Sequence, residues 1–68
     1  MKAREIRDME DTELAKTIAE LRKEVFGLRF SNATGELDDT ARLSREKRNL
    51  ARALTVARER ERSSAETN

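Results

Sequence analysis

The chain has 68 residues, of which 35% are hydrophobic and 43% charged, and its formal net charge is +1. A single domain of this size is marginally stable unless a disulfide, a metal or a partner supports it. The absence of Cys excludes disulfides, and the absence of both Cys and His removes the usual zinc ligands. We therefore expect a binding partner to supply the missing stability.

The first eight residues predict a short charged lead-in with one apolar anchor, Ile6. We expect Ile6 and Met9 to fold back on the first long helix, as in a hydrophobic staple. Asp8 and Asp11 are the two candidates for the N-cap of that helix.

Apolar residues spaced alternately four and three apart predict a first long helix from about residue 11 to about residue 32. This is a heptad pattern, which gathers the side chains into one seam for packing on another helix. Gly27 lies within the pattern and costs about 1 kcal/mol relative to Ala, so we interpret it as tolerated in a continuous helix. The seam consists of Leu14, Ile18, Leu21, Val25 and Leu28.

A turn is predicted at about residues 33–38, because the segment 31–39 is the only cluster of turn-forming residues. Asn32 and Gly35 tolerate the left-handed backbone that ends helices. Asp38 or Asp39 can cap the next helix, and Leu37 is expected to close the open end of the hairpin. A connection this short makes the flanking helices antiparallel neighbours.

The second long helix is predicted from about residue 39 to about residue 61. The chain is therefore expected to be all-α, an antiparallel two-helix hairpin in one domain over residues 1–62, with a frayed tail at 63–68. On a helical wheel, one apolar stripe contains Leu43, Leu50 and Leu54, extended by Ala57. The opposite side contains Arg45, Arg48 and Arg52, with Arg42 beside them.

The small net charge conceals a separation of charge along the chain. Residues 1–41 carry seven basic and ten acidic side chains, a net charge of −3. Residues 42–62 carry eight basic and three acidic side chains, a net charge of +5, and seven of those eight are Arg. Because Arg binds phosphate through a planar fork, this half is expected to meet a nucleic-acid backbone. The alternative is an arginine face that only contacts water.

The two aromatic residues, Phe26 and Phe30, are one helical turn apart and lie off the heptad seam. We expect both rings to pack under the loop and against the flank of the second helix. The alternative is a contact with another protein, because exposed apolar patches often form interfaces.

Three segments resemble the bacterial large-subunit ribosomal protein family numbered twenty-nine. They are KAREIR at residues 2–7, LRKEVFGLRFSNATGEL at 21–37 and KRNLARALT at 47–55. The sequence departs from the family pattern at Glu46, where Val or Ile is usual, and at Lys47, where Arg is usual. Ser44, Ser31 and Glu10 also replace more common residues.

The resemblance implies a helical hairpin on the large ribosomal subunit that binds 23S rRNA near the polypeptide exit. It also implies ribosomal protein twenty-three as a neighbour, close to the docking place of nascent-chain factors. The candidate RNA-binding residues, in order of expected importance, are Arg45, Lys47, Arg48 and Arg52, then Arg42, Arg29, Lys2, Arg4 and Arg7.

Several other functions find little support in the sequence. Without His or Cys the chain lacks the usual general bases and thiol nucleophiles, and it contains no glycine-rich phosphate loop. We expect no enzyme activity, cofactor, metal or small-molecule substrate, and we expect a cytoplasmic protein without a membrane span. The main rival is a coiled-coil interaction module that dimerises through the Leu14–Leu28 seam. A membrane-surface helix is disfavoured by the scarcity of large apolar residues.

Overall fold

The structure is a computed structural model that describes residues 1–36 and 39–66. It contains three helices, α1 (Ala3–Arg7), α2 (Asp11–Ala33) and α3 (Thr40–Glu66), and no strand among the described residues. The two long helices pack against each other, and α1 packs on α3. The predicted all-α hairpin is confirmed, and its lead-in contains one additional helical turn.

The predicted seam of α2 forms one side of the hydrophobic core. Leu14, Leu21, Val25 and Leu28 are buried, and Ile18 is partly buried. Each Leu or Val side chain that is removed from water contributes about 1.5–3 kcal/mol. The heptad spacing therefore identified the packing face of α2 correctly.

The packing face of α3 is rotated away from the predicted stripe. The side chains that are buried on this helix are Ala53 and Val56. A small residue at the centre of the contact lets two helix backbones approach closely, while larger side chains cover the edges of the interface. The predicted stripe forms such an edge, since it is only half-buried at Leu43, Leu50, Leu54 and Ala57.

Helix α1 explains the rotation of α3, because it gives α3 a second apolar partner. Ile6 is 0% exposed and belongs to the same core cluster as Leu21, Ala53 and Val56. Met9 packs at the edge of this cluster. The two apolar anchors of the lead-in were therefore identified correctly. Helix α1 packs on α3, however, and not on the first long helix alone as predicted, while Met9 accepts a hydrogen bond from Thr17 of α2.

Arg60 fastens the lead-in to the hairpin with three hydrogen bonds. Its guanidinium donates to Asp11 Oδ1 at 2.9 Å, to the Met9 carbonyl at 2.7 Å and to the Arg7 carbonyl at 3.2 Å. The Arg60 side chain is 29% exposed, so part of this network is shielded from water. One side chain near the end of α3 thus holds the end of α1 and the start of α2.

The start of α2 differs from the prediction. Its N-cap residue is Glu10, which makes no capping hydrogen bond through its side chain. The prediction that either Asp8 or Asp11 is the N-cap of this helix was therefore wrong. Asp8 instead ends α1, where its N–H donates to the Arg4 carbonyl, and the Asp11 carboxylate is engaged by Arg60.

A Schellman motif ends α2. Gly35 has a φ of +79°, a left-handed conformation that favours glycine because it lacks a Cβ. The Gly35 N–H donates to the Asn32 carbonyl at 3.2 Å, and the Glu36 N–H donates to the Ser31 carbonyl at 2.8 Å. Of the two residues expected to tolerate this conformation, Gly35 adopts it.

Asp39 caps α3, because its Oδ1 accepts a hydrogen bond of 3.1 Å from the Arg42 N–H. The alternative cap, Asp38, and the predicted role of Leu37 lie outside the described residues. α3 extends to Glu66, beyond the predicted end near residue 61. Residues 63–66 of the predicted tail thus continue the helix, in a segment without Gly or Pro, while residues 67–68 lie outside the described part of the chain.

Replacement of Arg60 by Ala should lower the free energy of unfolding by about 1–2 kcal/mol, because two carbonyls and one carboxylate lose a charged donor. Thermal unfolding followed by circular dichroism measures this loss. Arg62→Ala is the matched control, since Arg62 forms no hydrogen bond or ion pair with the described residues. Equal losses in the two variants would contradict the role given to Arg60.

Candidate nucleic-acid interface

The basic residues of α3 other than Arg60 are exposed, and the four that the sequence ranks first for RNA binding occupy two adjoining parts of its surface. At about 100° per residue, Lys47 and Arg48 lie away from the buried face that Ala53 and Val56 define. Arg45 and Arg52 lie on the flank that adjoins α1, and both are exposed. We call these four cations the α3 basic face: Arg45, Lys47, Arg48 and Arg52.

Three of the predicted arginines on α3 have contacts within the chain, all of them at the surface. Arg42 Nη2 lies 3.6 Å from Glu24 Oε1, and Arg45 Nη2 lies 3.8 Å from Asp39 Oδ2. Arg52 donates a hydrogen bond of 3.0 Å to the Met1 carbonyl. Exposed ion pairs of this kind contribute about 0–1 kcal/mol, so these arginines can turn to an external phosphate at little cost.

Lys47 and Arg48 form no hydrogen bond or ion pair with any residue that the structure describes. Both are exposed. A cation without an internal partner retains its full capacity to donate hydrogen bonds to a ligand. These two residues are consequently the most available cations of the α3 basic face.

The structure places the N-terminal cations beside this face. The bond between Arg52 and Met1 holds the chain start against α3, and Lys2 and Arg4 are exposed next to it. Arg7 forms an exposed ion pair of 3.4 Å with Glu59, also on α3. The remaining candidate, Arg29, is not part of this group, because it projects from α2.

Sequence reasoning missed two cations that extend the α3 basic face. Arg58 and Arg62 are exposed on the outward side of the helix and have no partner among the described residues. Arg48 and Arg62 are two heptads apart, a distance of about 21 Å along the axis. The signal was the repeat of arginines on one helical face, since Arg58 lies within the predicted helix and Arg62 directly follows its predicted end.

The prediction that Phe26 and Phe30 pack under the loop was wrong. The rings are 73% and 63% exposed. Val25 and Leu28 already fill the seam at this level of α2, and residues one or two positions further round the helix point away from α3. The protein contact that was the alternative stays a prediction.

An acidic pair lies between α2 and α3 on the flank where Arg42 meets Glu24. A side-chain hydrogen bond with Glu24 raises the pKa of Glu46 above its ordinary value of 4.5, and burial and repulsion by the Glu24 charge raise it further. Arg42 and Arg45 oppose this shift. Glu46 is the position at which the resembled family usually has Val or Ile, so a charged residue replaces an apolar one at the edge of the core.

Comparison with known proteins identifies the family. The sequence profile described as "Ribosomal L29 protein" matches residues 4–60. The chain belongs to this family. The large ribosomal subunit protein uL29 of Maridesulfovibrio salexigens is 48% identical over 61 residues, which cover 90% of this chain and 95% of the relative. The uL29 of Chloroflexus aurantiacus is 48% identical over 66 residues, 97% of each chain.

A third uL29, from Staphylococcus aureus, is 49% identical over 61 residues, 90% of this chain and 88% of the relative. These matches confirm the resemblance that was inferred from the three sequence segments. They assign the chain to a family of structural ribosomal proteins rather than enzymes. None of the helices in the described part of the chain has the length and apolar character that a membrane crossing requires.

Replacement of Glu46 by Gln should stabilise the protein at neutral pH, by on the order of 0.5 kcal/mol, because it removes the repulsion from Glu24. The pKa of Glu46 is higher in the folded chain than in the unfolded one. The protonated Glu46 carboxyl therefore contributes most to stability below pH 4.5. This contribution is lost as the pH rises through the raised pKa of Glu46 in the folded chain.

Thermal unfolding of both proteins at neutral and at acidic pH tests this expectation. The gain from Glu46→Gln should vanish below a pH of about 4, where Glu46 is protonated in both states. Glu61→Gln serves as the control, since Glu61 has no ion pair among the described residues and should change stability little at either pH. A gain that persists in acid would contradict the acidic-pair account.

Proposed function

We propose that this protein is a structural constituent of the large ribosomal subunit and that it binds 23S rRNA near the polypeptide exit tunnel. The uL29 relatives are named as large ribosomal subunit proteins. The observation that carries the RNA-binding part of the proposal is the α3 basic face, whose central cations, Lys47 and Arg48, are exposed and unpaired within the described chain.

The α3 basic face suits the phosphate backbone of RNA better than its bases. Its cations neutralise phosphates and release counterions, which makes the affinity strongly dependent on salt. No aromatic residue lies on α3, so this helix has no platform on which bases can stack. Recognition through α3 is accordingly directed at the shape and charge of the RNA.

The proposal includes protein neighbours in the assembled subunit. Ribosomal protein twenty-three is the expected neighbour, and nascent-chain factors are expected close by, as the family resemblance implies. Both remain predictions about partners.

The structure weakens the rival interpretation as a coiled-coil module. Dimerisation through the Leu14–Leu28 seam requires that seam to be accessible, but its residues are already buried against α3 and α1 in the same chain. A second copy can occupy the seam only if the hairpin opens. Within one folded chain, the heptad pattern is accounted for by intramolecular packing.

The double variant Arg48→Glu with Arg52→Glu should enter the large subunit poorly while keeping its helicity. Two charges that attract phosphate become two that repel it, and the slope of log affinity for rRNA against log salt should fall by about 2. Competition between variant and wild-type chains during reconstitution of the subunit, quantified by mass spectrometry, measures the loss.

The matched control is Arg48→Lys with Arg52→Lys, which keeps both charges and loses only the planar forks. It should compete much better than the glutamate variant. Circular dichroism checks that all the chains are equally helical. Incorporation of the glutamate variant at the wild-type level would contradict binding through the α3 basic face.

A further inference from the structure

The outward side of α2 carries a second cationic surface, which includes both aromatic residues. Positions three and four apart are neighbours on a helix surface, and this spacing joins the two rings to three cations. We call this set the α2 outer face: Arg22, Lys23, Phe26, Arg29 and Phe30.

Every member of the α2 outer face is exposed. None of its three cations, Arg22, Lys23 and Arg29, forms a hydrogen bond or ion pair with a residue that the structure describes. The rings are 73% exposed at Phe26 and 63% exposed at Phe30, the highest values among the large hydrophobic residues of the described chain. The hairpin thus leaves both kinds of side chain available to another molecule.

The acidic residues in the same part of α2 lie on a different side of the helix. Glu20 and Glu24 line a groove between α2 and α3, together with Glu46, and Lys23 lies at the border because it also lines this groove. Glu24 is engaged there by Arg42 at 3.6 Å. The negative charges of Glu20 and Glu24 are therefore directed away from Arg22, Phe26, Arg29 and Phe30, and the α2 outer face itself contains no acidic residue.

Cations interleaved with exposed aromatic rings form a surface that fits single-stranded nucleic acid. Unpaired bases stack on aromatic side chains, and neighbouring Arg and Lys side chains hold the phosphates. A protein interface shares the enrichment in aromatic residues and Arg, but its core is apolar and is depleted in charged residues as a whole and in Lys and Ala. Besides the two rings, the apolar residues on this side of α2 are only alanines, namely Ala15, Ala19 and Ala33.

We propose that the α2 outer face binds unpaired RNA nucleotides, with Phe26 and Phe30 stacking on bases and Arg22, Lys23 and Arg29 binding the adjacent phosphates. This surface is distinct from the α3 basic face and differs from it in preferring single strands to duplexes. The hairpin then joins two RNA segments, one at each helix.

Binding of the purified full-length chain to two RNA probes tests the proposal. The probes are a single-stranded oligouridylate of about 12 nucleotides and an RNA duplex of about 16 base pairs. Phe26→Ala with Phe30→Ala should weaken binding of the oligouridylate at least about tenfold and leave duplex binding unchanged. Both rings are exposed, so the variant should keep its fold. Unchanged oligouridylate affinity would overturn the proposal.

The variant Arg48→Glu with Arg52→Glu separates this proposal from the proposed function. It should weaken binding of the duplex. When Phe26→Ala and Phe30→Ala are added to this variant, binding of the oligouridylate should still become weaker. Loss of the phenylalanine effect with a normal effect of the α3 arginines would refute only the α2 outer face. The reverse pattern would refute only the α3 basic face.

Stacking can be observed directly, because the chain contains no Trp or Tyr. Phe30→Trp introduces a single indole that should retain the affinity for oligouridylate and lose fluorescence when a base stacks on it. The duplex should not quench this emission. Full-strength binding of oligouridylate without quenching would overturn the stacking part of the proposal.

Photocrosslinking in assembled subunits distinguishes RNA from protein as the occupant. With p-benzoylphenylalanine in place of Phe30, we expect an adduct that ribonuclease removes. A protein adduct at this position, or none, would overturn the proposal. The same group in place of Ala51, which is exposed beside Arg48 and Arg52, reports on the α3 basic face independently.

Discussion

The burial of one apolar seam between two helices is the interaction on which the rest of this structure depends. An isolated helix is marginal in water, and α2 and α3 gain their stability by closing Leu14 and Leu21 over Ala53 and Val56. Ile6 completes this core from the lead-in. Because the seam fixes the rotation of each helix about its axis, it also decides which charged residues face water and in which direction.

Because the seam fixes how α2 and α3 are rotated about their axes, the hairpin has three surfaces of different character. The α3 basic face carries exposed cations, of which Lys47 and Arg48 have no partner among the described residues, and the α2 outer face adds two exposed rings to the cations of the other helix. Between the helices, Glu24 and Glu46 form an acidic flank. Arg60 is used differently from the other arginines, since it binds Asp11 and two carbonyls and holds the lead-in where Lys2 and Arg4 adjoin α3.

The helices, the α2 seam and the glycine-based helix end were predictable, because period, spacing and turn chemistry are local properties of the sequence. The packing face of α3 was not predictable, since it includes a small residue, Ala53, and packs against Ile6, which comes from a distant segment of the chain. The exposure of Phe26 and Phe30 was not predictable for the same reason, because it depends on which other residues already fill the seam. Arg60 has no distinguishing local pattern, because its partners lie about fifty positions away in the sequence.

Charge-dependent binding to the large ribosomal subunit is the central claim of this account. Sedimentation of a native lysate through sucrose gradients at low and at high salt, with detection of this protein, tests it most directly. We predict that the protein migrates with the large subunit at low salt and that part of it is released at high salt, since phosphate contacts weaken as counterions accumulate. Migration at the top of the gradient in both conditions would contradict the account.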